Sequence, residues 1–255
     1  MILAKPLPVI KSTAYTVIHV HRQNGGASTV HSGSQQSPLF VQSSLSSCLF
    51  FHFIFLLHPS TIHAVLAVTF SSYSLAFGLL GTYRVFSKSS LGFVTLQVSL
   101  GYFVADLVII LLDPKLRSDK ASLMHHIAGI VGLVLSLHFQ GKLMYYLIFR
   151  LISELSTPFV NMRWVLYEFR ITNGILYRAA AYGMMATFFF TRIITMPWFW
   201  YDFYYCFMHP GIVIVPDFFK VWAVCNFSAF DVLNLYWFYK MAAIVSEKNC
   251  FRNKE

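Results

Sequence analysis

Long apolar runs separated by short polar and basic stretches dominate the chain. A helix needs about 20 mostly apolar residues to cross the hydrocarbon core of a bilayer. Runs of that length predict six membrane-spanning helices, near residues 60–81, 91–112, 121–140, 143–161, 179–199 and 212–239. A run at 39–57 is a weaker seventh candidate, because serines dilute its first half. The pattern therefore predicts an all-α fold, a polytopic membrane helical bundle of six to seven transmembrane helices.

The two ends of the chain lack this pattern. The first forty residues show no apolar periodicity and include the polar string NGGASTVHSGSQQS, so we predict a disordered tail over residues 1–40. They also lack the charged start, apolar run and small-residue cleavage site of a secretory signal. The membrane domain is predicted over residues 41–245, followed by a polar cytoplasmic tail over residues 246–255.

Composition agrees with a membrane environment and excludes some other classes. The chain is 57% hydrophobic and 11% charged with a mean hydropathy of +0.61, whereas a soluble domain carries about 25% charged residues. The net charge of +9 does not indicate a nucleic-acid partner, because the basic residues form no dense block. The four cysteines are far apart and predict neither a disulfide framework nor a zinc site. No cofactor or metal is expected.

Basic residues between the apolar runs predict the orientation, since Lys and Arg accumulate on the cytoplasmic side of a membrane. Three segments stand out, with Lys115, Arg117 and Lys120 in one, Arg163, Arg170 and Arg178 in the next but one, and Lys248, Arg252 and Lys254 at the end. These segments share one side of the predicted bundle. We therefore expect an integral membrane protein with a cytoplasmic C-terminus, and an N-terminus that is lumenal with seven spans or cytoplasmic with six.

One predicted helix carries ionisable residues at membrane depth, where each costs about 2.5 to 3.5 kcal/mol and usually faces a partner or a cavity. In YYLIFRLISELSTPFVNMRW, the residues Arg150, Glu154, Thr157 and Asn161 have the spacing of one helix face. Arg150 and Glu154 are predicted to pair at i, i+4, either as a structural contact or as part of a binding cavity. Pro158 is predicted to leave a backbone carbonyl open near the end of this helix.

Charged residues on other predicted helices complete the set. Asp106, Arg192 and Asp231 lie at membrane depth, and Asn234 follows Asp231 by three residues. With Arg150 and Glu154 included, two arginines face three carboxylates, which leaves a net charge of minus one. A histidine is therefore a candidate to share a proton with one carboxylate.

His125 and His126 are the leading candidates, because they are adjacent and open a membrane span directly after a basic loop. Neighbouring residues on a helix point about 100° apart, so at most one of the two faces a cavity squarely. For either histidine the alternative is a hydrogen bond to a neighbouring helix, for example to Asp106 or Asp231. The single histidines His52, His63 and His138 are interpreted as packing or interfacial residues.

Several strings resemble a known family of membrane proteins. The strings are MHH at the start of a span, then FRLISELSTPFVNMRW, TRIITMP and DVLNLYW. They are similar to the TLC-domain family over about residues 60–245, and most similar to the small TLC-domain-containing proteins. The resemblance implies a helical bundle around a lipid-sized cavity in the membrane, with a function in lipid homeostasis, most naturally in the endoplasmic reticulum.

The chain is also distantly similar to the ceramide synthases of this family, which transfer a fatty acyl group from coenzyme A to a sphingoid amine. Their motif likewise opens with paired histidines, which match His125 and His126. Their next span has a His-Asp pair followed three residues later by Asp, and here those positions hold Ser153, Glu154 and Thr157. The second histidine site is therefore absent, and no other nucleophile motif replaces it.

Three functional hypotheses follow, in this order. The first is a non-catalytic protein that binds a lipid or acyl chain in its cavity. The second is a divergent sphingolipid N-acyltransferase that uses acyl-CoA as a substrate, with His125 or His126 as base and Glu154 as its orienting carboxylate. The third is a transporter or cargo-binding protein. Membrane lipids are the expected partners and the oligomeric state is left open. The residues expected to line the cavity or to form intramembrane polar contacts are Asp106, Arg150, Thr157, Asn161, Arg192, Asp231 and Asn234.

Overall fold

A computed structural model describes residues 58–78, 84 and 87–252, except for the side chains of residues 115, 211, 214 and 244–252. Over these residues the chain is helical and forms no strand, which confirms the all-α prediction there. The α-helices are α1 (Pro59–Phe77), α2 (Ser90–Leu112), α3 (Pro114–Arg117), α4 (Lys120–His138), α5 (Met144–Leu151), α6 (Thr157–Glu168), α7 (Ile175–Phe188), α8 (Thr195–Met208) and α9 (Asp217–Arg252). Two 3-10 segments, Ile152–Ser156 and Pro210–Ile214, and a π-helical segment, Phe189–Ile194, connect them. The predicted tail at 1–40 and the weaker span at 39–57 lie outside the described residues.

Local sequence signals explain several helix ends. Pro59 occupies the first turn of α1, where its missing N–H would have no partner in the helix. The Ser89 hydroxyl accepts a hydrogen bond from the backbone N–H of Gly92 at 3.2 Å and caps α2. At the other end, α2 stops at Asp113, where the following Pro114 disfavours helical geometry.

Four helices in the described part of the chain are long and apolar enough to cross a membrane. They are α1, α2, α4 and the continuous run Ile175–Met208, which joins α7, the π-helical segment and α8. The four agree with the predicted spans at 60–81, 91–112, 121–140 and 179–199. The larger number of six to seven spans remains a prediction.

The predicted span at 143–161 is not one regular helix. It divides into α5, the 3-10 segment Ile152–Ser156 and the start of α6. Pro158 lies in the first turn of α6 and has no N–H to continue an α-helical ladder from the preceding residues. The Ser156 hydroxyl donates to the Ser153 carbonyl at 3.1 Å, which supports the tighter turn. The carbonyl of Glu154 accepts from the Thr157 N–H, so the carbonyl that Pro158 was predicted to leave open is occupied.

An aromatic core holds α5, α8 and α9 together. Tyr146 packs edge-on against Phe203 with ring centroids 5.0 Å apart, and Phe199 packs edge-on against Phe227 at 5.1 Å. All four side chains are buried. Edge-to-face rings at these distances give directional packing in addition to apolar burial. This core fixes the face of α9 that carries Asp231 against α5 and α8.

Candidate functional site

Two adjacent cavities lie inside the bundle, with volumes of about 70 and 60 Å³. Four residues line both cavities and form the wall between them: Phe103, His125, Glu154 and Arg192. Each cavity has room for only a few water molecules, whereas pockets for drug-sized ligands measure roughly 300–1,000 Å³. Both cavities are therefore smaller than the lipid-sized cavity that the sequence predicted. Each fits a polar group or the end of an acyl chain. Densely packed aromatic rings from α2, α8 and α9 account for the difference.

His126 is held by a carboxylate on the neighbouring helix. Its Nε2 lies 2.7 Å from Asp106 Oδ2, and its Nδ1 lies 2.9 Å from the Ser122 carbonyl oxygen. A carbonyl oxygen only accepts, so Nδ1 carries a hydrogen. Nε2 and Asp106 then share one further proton, as imidazolium with carboxylate or as imidazole with carboxylic acid. In both forms the pair has no net charge, which matches the proton-sharing histidine that the charge count predicted.

His125 points in a different direction from its neighbour and lines both cavities. Its ring packs edge-on against Phe230, with centroids 4.9 Å apart, and against Trp237 at 5.5 Å. Its Nδ1 is buried and has no hydrogen-bond partner among the described residues. His126 therefore bonds a neighbouring helix and also lines the first cavity, whereas His125 lines both cavities.

Arg150 pairs with α9 rather than with its own helix. Its two terminal nitrogens donate to the two carboxylate oxygens of Asp231 at 2.7 and 2.9 Å, and the Trp200 indole N–H donates to the same carboxylate at 2.6 Å. The guanidinium also lies 3.8 Å from the ring centroid of Phe199. The predicted pair of Arg150 with Glu154 is wrong, because the 3-10 segment between them changes the helical register that the i, i+4 spacing assumed.

Glu154 and Arg192 form the next part of the network. The Thr157 hydroxyl donates to Glu154 Oε2 at 2.7 Å, and Arg192 Nη2 lies 3.9 Å from Glu154 Oε1. Arg192 also donates to Asn234 Oδ1 and to the Ser153 carbonyl, each at 3.1 Å. Arg192 lies on the π-helical segment. Such segments are wider than an α-helical turn and occur frequently at functional sites.

Asn161 is not brought to either cavity. Its side-chain amide donates to the Thr61 hydroxyl at 2.9 Å, and both residues are buried. This hydrogen bond joins α6 to α1 and is typical of polar contacts between membrane helices. Asn161 therefore connects helices in this structure, while Thr157, on the same predicted face, lines the first cavity.

Sequence reasoning left several polar residues at and around the site unassigned. Asn226 lines the second cavity and belongs to the polar row on α9 that includes Asp231, which was the available signal. Trp200 had no such signal, because it lies within the aromatic stretch PWFWYDFYY that is typical of an interfacial belt. Asp202, in the same stretch, accepts from the Tyr146 hydroxyl at 3.0 Å and pairs with Arg84.

Comparison with known proteins identifies the family. A family model described as the TLC domain matches residues 34–243. TLC domain-containing protein 4-B of Danio rerio is 31% identical over 201 residues, covering 72% of this chain and 70% of that protein. TLC domain-containing protein 4 of Homo sapiens is 31% identical over 201 residues, covering 69% and 71%. TLC domain-containing protein 4-A of Xenopus laevis is 33% identical over 154 residues, covering 58% of each. No solved structure matches.

The described helices and this match together define a helical integral membrane protein. The chain belongs to the TLC domain family. The family match begins at residue 34, so it includes the segment 39–57 that the hydropathy pattern offered as a weaker span.

Proposed function

We propose that this TLC domain protein acts in lipid homeostasis by binding a lipid or acyl chain at the two cavities, without catalysis. The observation that supports the proposal is the wall of Phe103, His125, Glu154 and Arg192, which places charged and hydrogen-bonding groups among apolar side chains inside a membrane bundle. Ionisable residues in such a position are costly and are typical of functional sites.

The contacts of the polar residues favour binding over acyl transfer. A general base needs a free nitrogen and a partner that orients its ring. Both ring nitrogens of His126 are engaged, by Asp106 and by the Ser122 carbonyl. Glu154, the proposed orienting carboxylate, accepts from Thr157 and lies near Arg192. The base and orienter of the ceramide synthase-like hypothesis are therefore not paired as that hypothesis requires.

The divergent acyltransferase remains the second candidate because of His125. Its ring lines both cavities, and its Nδ1 has no partner among the described residues. A base that accepts a proton from a sphingoid amine needs a free nitrogen in such a position. The distant likeness to ceramide synthases belongs to this candidate. The likeness of ELSTPFVNMRW to the small TLC-domain-containing protein also called transmembrane protein 56 is a separate proposal about the subgroup. No contact within the described part of the chain favours the third hypothesis, a transporter or cargo-binding protein.

Replacing His125 by Leu tests the binding proposal. We expect the amount of lipid that co-purifies with the protein to fall about fivefold, because the variant lacks the imidazole hydrogen bond at the cavity wall. Lipid extracts of the purified full chain, quantified by mass spectrometry, measure this.

His138→Leu is the matched control, since His138 lies at the far end of α4 and lines neither cavity. Unchanged lipid content in a folded His125→Leu protein would contradict the proposal. If bound lipid persisted while cellular lipid composition changed as it does on deletion of the gene, the acyltransferase hypothesis would replace it.

We also propose a location in the endoplasmic reticulum, with six to seven spans and a cytoplasmic C-terminus. The basic segments that flank the predicted spans support this orientation. A tag placed after Glu255 is expected to be digested when protease is added to sealed microsomes. A tag that is protected until detergent opens the vesicles would reverse the orientation.

A further inference from the structure

The second cavity is lined by hydrogen-bond donors that have no acceptor. Arg150 Nε, Arg192 Nε and Asn226 Nδ2 are buried and unpaired among the residues that the structure describes. All three residues line the second cavity, and the whole Arg192 and Asn226 residues are each 7% exposed. Guanidinium nitrogens can only donate. A buried donor without a partner is unfavourable, so this cavity is suited to a ligand that brings acceptor oxygens.

The charges around the cavities restrict the ligand further. Arg150 is balanced by Asp231, which contacts both of its terminal nitrogens, and Arg192 is nearest to Glu154. Asp106 is balanced by the proton it shares with His126. The six groups therefore carry no net charge. An anionic ligand would add an uncompensated buried charge, which is strongly unfavourable, whereas a neutral acceptor would not.

The remaining lining of the second cavity is apolar. Leu133, Leu147, Leu151, Phe227 and Phe230 contribute to its walls. Such walls accommodate methylene groups next to a single polar atom, since burial of apolar surface is favourable and needs no hydrogen bond. The donors, the balanced charge and the apolar walls are together complementary to an acyl linkage, which has a neutral carbonyl oxygen next to methylene groups.

We propose that the second cavity binds the neutral carbonyl oxygen of a lipid ester or amide, with Arg150, Arg192 and Asn226 as the donors. The inference rests on the proposed lipid-binding function and adds the chemical group that is recognised. The carbonyl oxygen has two lone pairs and accepts from the Asn226 amide and one of the two Nε–H groups, and the adjacent methylene groups contact the apolar wall.

A pair of probes isolates the carbonyl group. Methyl palmitate and hexadecyl methyl ether have the same chain and differ by one carbonyl oxygen, and palmitate supplies the anionic alternative. Binding to the full chain is measured by native mass spectrometry in nanodiscs of ether-linked lipids, so that the bilayer offers no competing carbonyl. We expect the ester to bind about tenfold more tightly than the ether, the effect of one or two hydrogen bonds.

Asn226→Leu removes one donor that has no partner among the described residues. We expect it to weaken binding of the ester about fivefold and to leave binding of the ether unchanged. Thr191→Val is the matched control, because Thr191 lines the same cavity but its hydroxyl already donates to the Thr187 carbonyl at 2.8 Å. Thermal unfolding of each variant checks that the protein remains folded.

The outcomes separate this inference from the function on which it rests. Equal binding of ester and ether, or an equal loss of both in Asn226→Leu, would overturn the carbonyl site while lipid binding stands. Tighter binding of palmitate than of the ester would replace it with an anion site. If none of the three probes bound, the proposed function would fail as well.

Discussion

Arg150→Met is expected to lower the free energy of unfolding by about 3 to 5 kcal/mol, the usual effect of removing one partner of a buried ion pair. In the native protein both carboxylate oxygens of Asp231 accept from Arg150, at 2.7 and 2.9 Å. The two side chains are only 16% and 8% exposed, so solvent screens little of their interaction. The hydrogen bond from Trp200 remains in the variant, but a neutral indole N–H does not balance a charge.

Double-mutant cycles in detergent micelles, with reversible unfolding by SDS titration, distinguish this pair from the one expected from the sequence. Asp231→Asn removes the stranded charge, so the double variant Arg150→Met with Asp231→Asn should be more stable than Arg150→Met alone. The matched cycle with Glu154→Gln should show a smaller coupling energy, since Glu154 contacts Thr157 and Arg192 instead. A larger coupling with Glu154 than with Asp231 would contradict the assigned pairing.

The charged groups could be predicted from the sequence, but not their partners. The count of two arginines against three carboxylates made a histidine a candidate to share a proton, and in the structure His126 Nε2 lies 2.7 Å from Asp106 Oδ2. Partner choice depends on contacts between distant segments: Arg150 and Asp231 are separated by 81 positions. Helix periodicity reports only neighbours within one regular helix, and the 3-10 segment Ile152–Ser156 breaks that assumption.

Helix positions were easier to predict than the shape of the site. Four predicted spans agree with helices that can cross a membrane, because about 20 apolar residues in a row have few other stable arrangements. Cavity size depends instead on how side chains from separate helices interdigitate. Phe103 on α2 and Phe227 and Phe230 on α9 line the second cavity together. The spacing of residues within one helix does not predict such contacts between helices.

His126→Leu is expected to destabilise the protein by about 3 to 5 kcal/mol, and Asp106→Asn by only about 1 kcal/mol. Leucine leaves the Asp106 carboxylate without the imidazole that lies 2.7 Å away, in surroundings where both residues are buried. Asparagine behaves differently, because a neutral His126 whose Nδ1–H donates to the Ser122 carbonyl has a free lone pair on Nε2. The side-chain amide introduced by Asp106→Asn can donate to that lone pair, so the variant keeps a neutral hydrogen bond between α2 and α4.

The asymmetry between these two variants is the informative result. His138→Leu is the control for the loss of an imidazole from α4 and should change the free energy of unfolding by less than about 1 kcal/mol, since His138 is exposed at the end of that helix. If Asp106→Asn were as damaging as His126→Leu, the neutral hydrogen bond expected between the introduced amide and His126 Nε2 would not form. A neutral shared-proton pair at this position keeps the charge at the cavities balanced, which is the condition under which the second cavity prefers a neutral carbonyl to an anion.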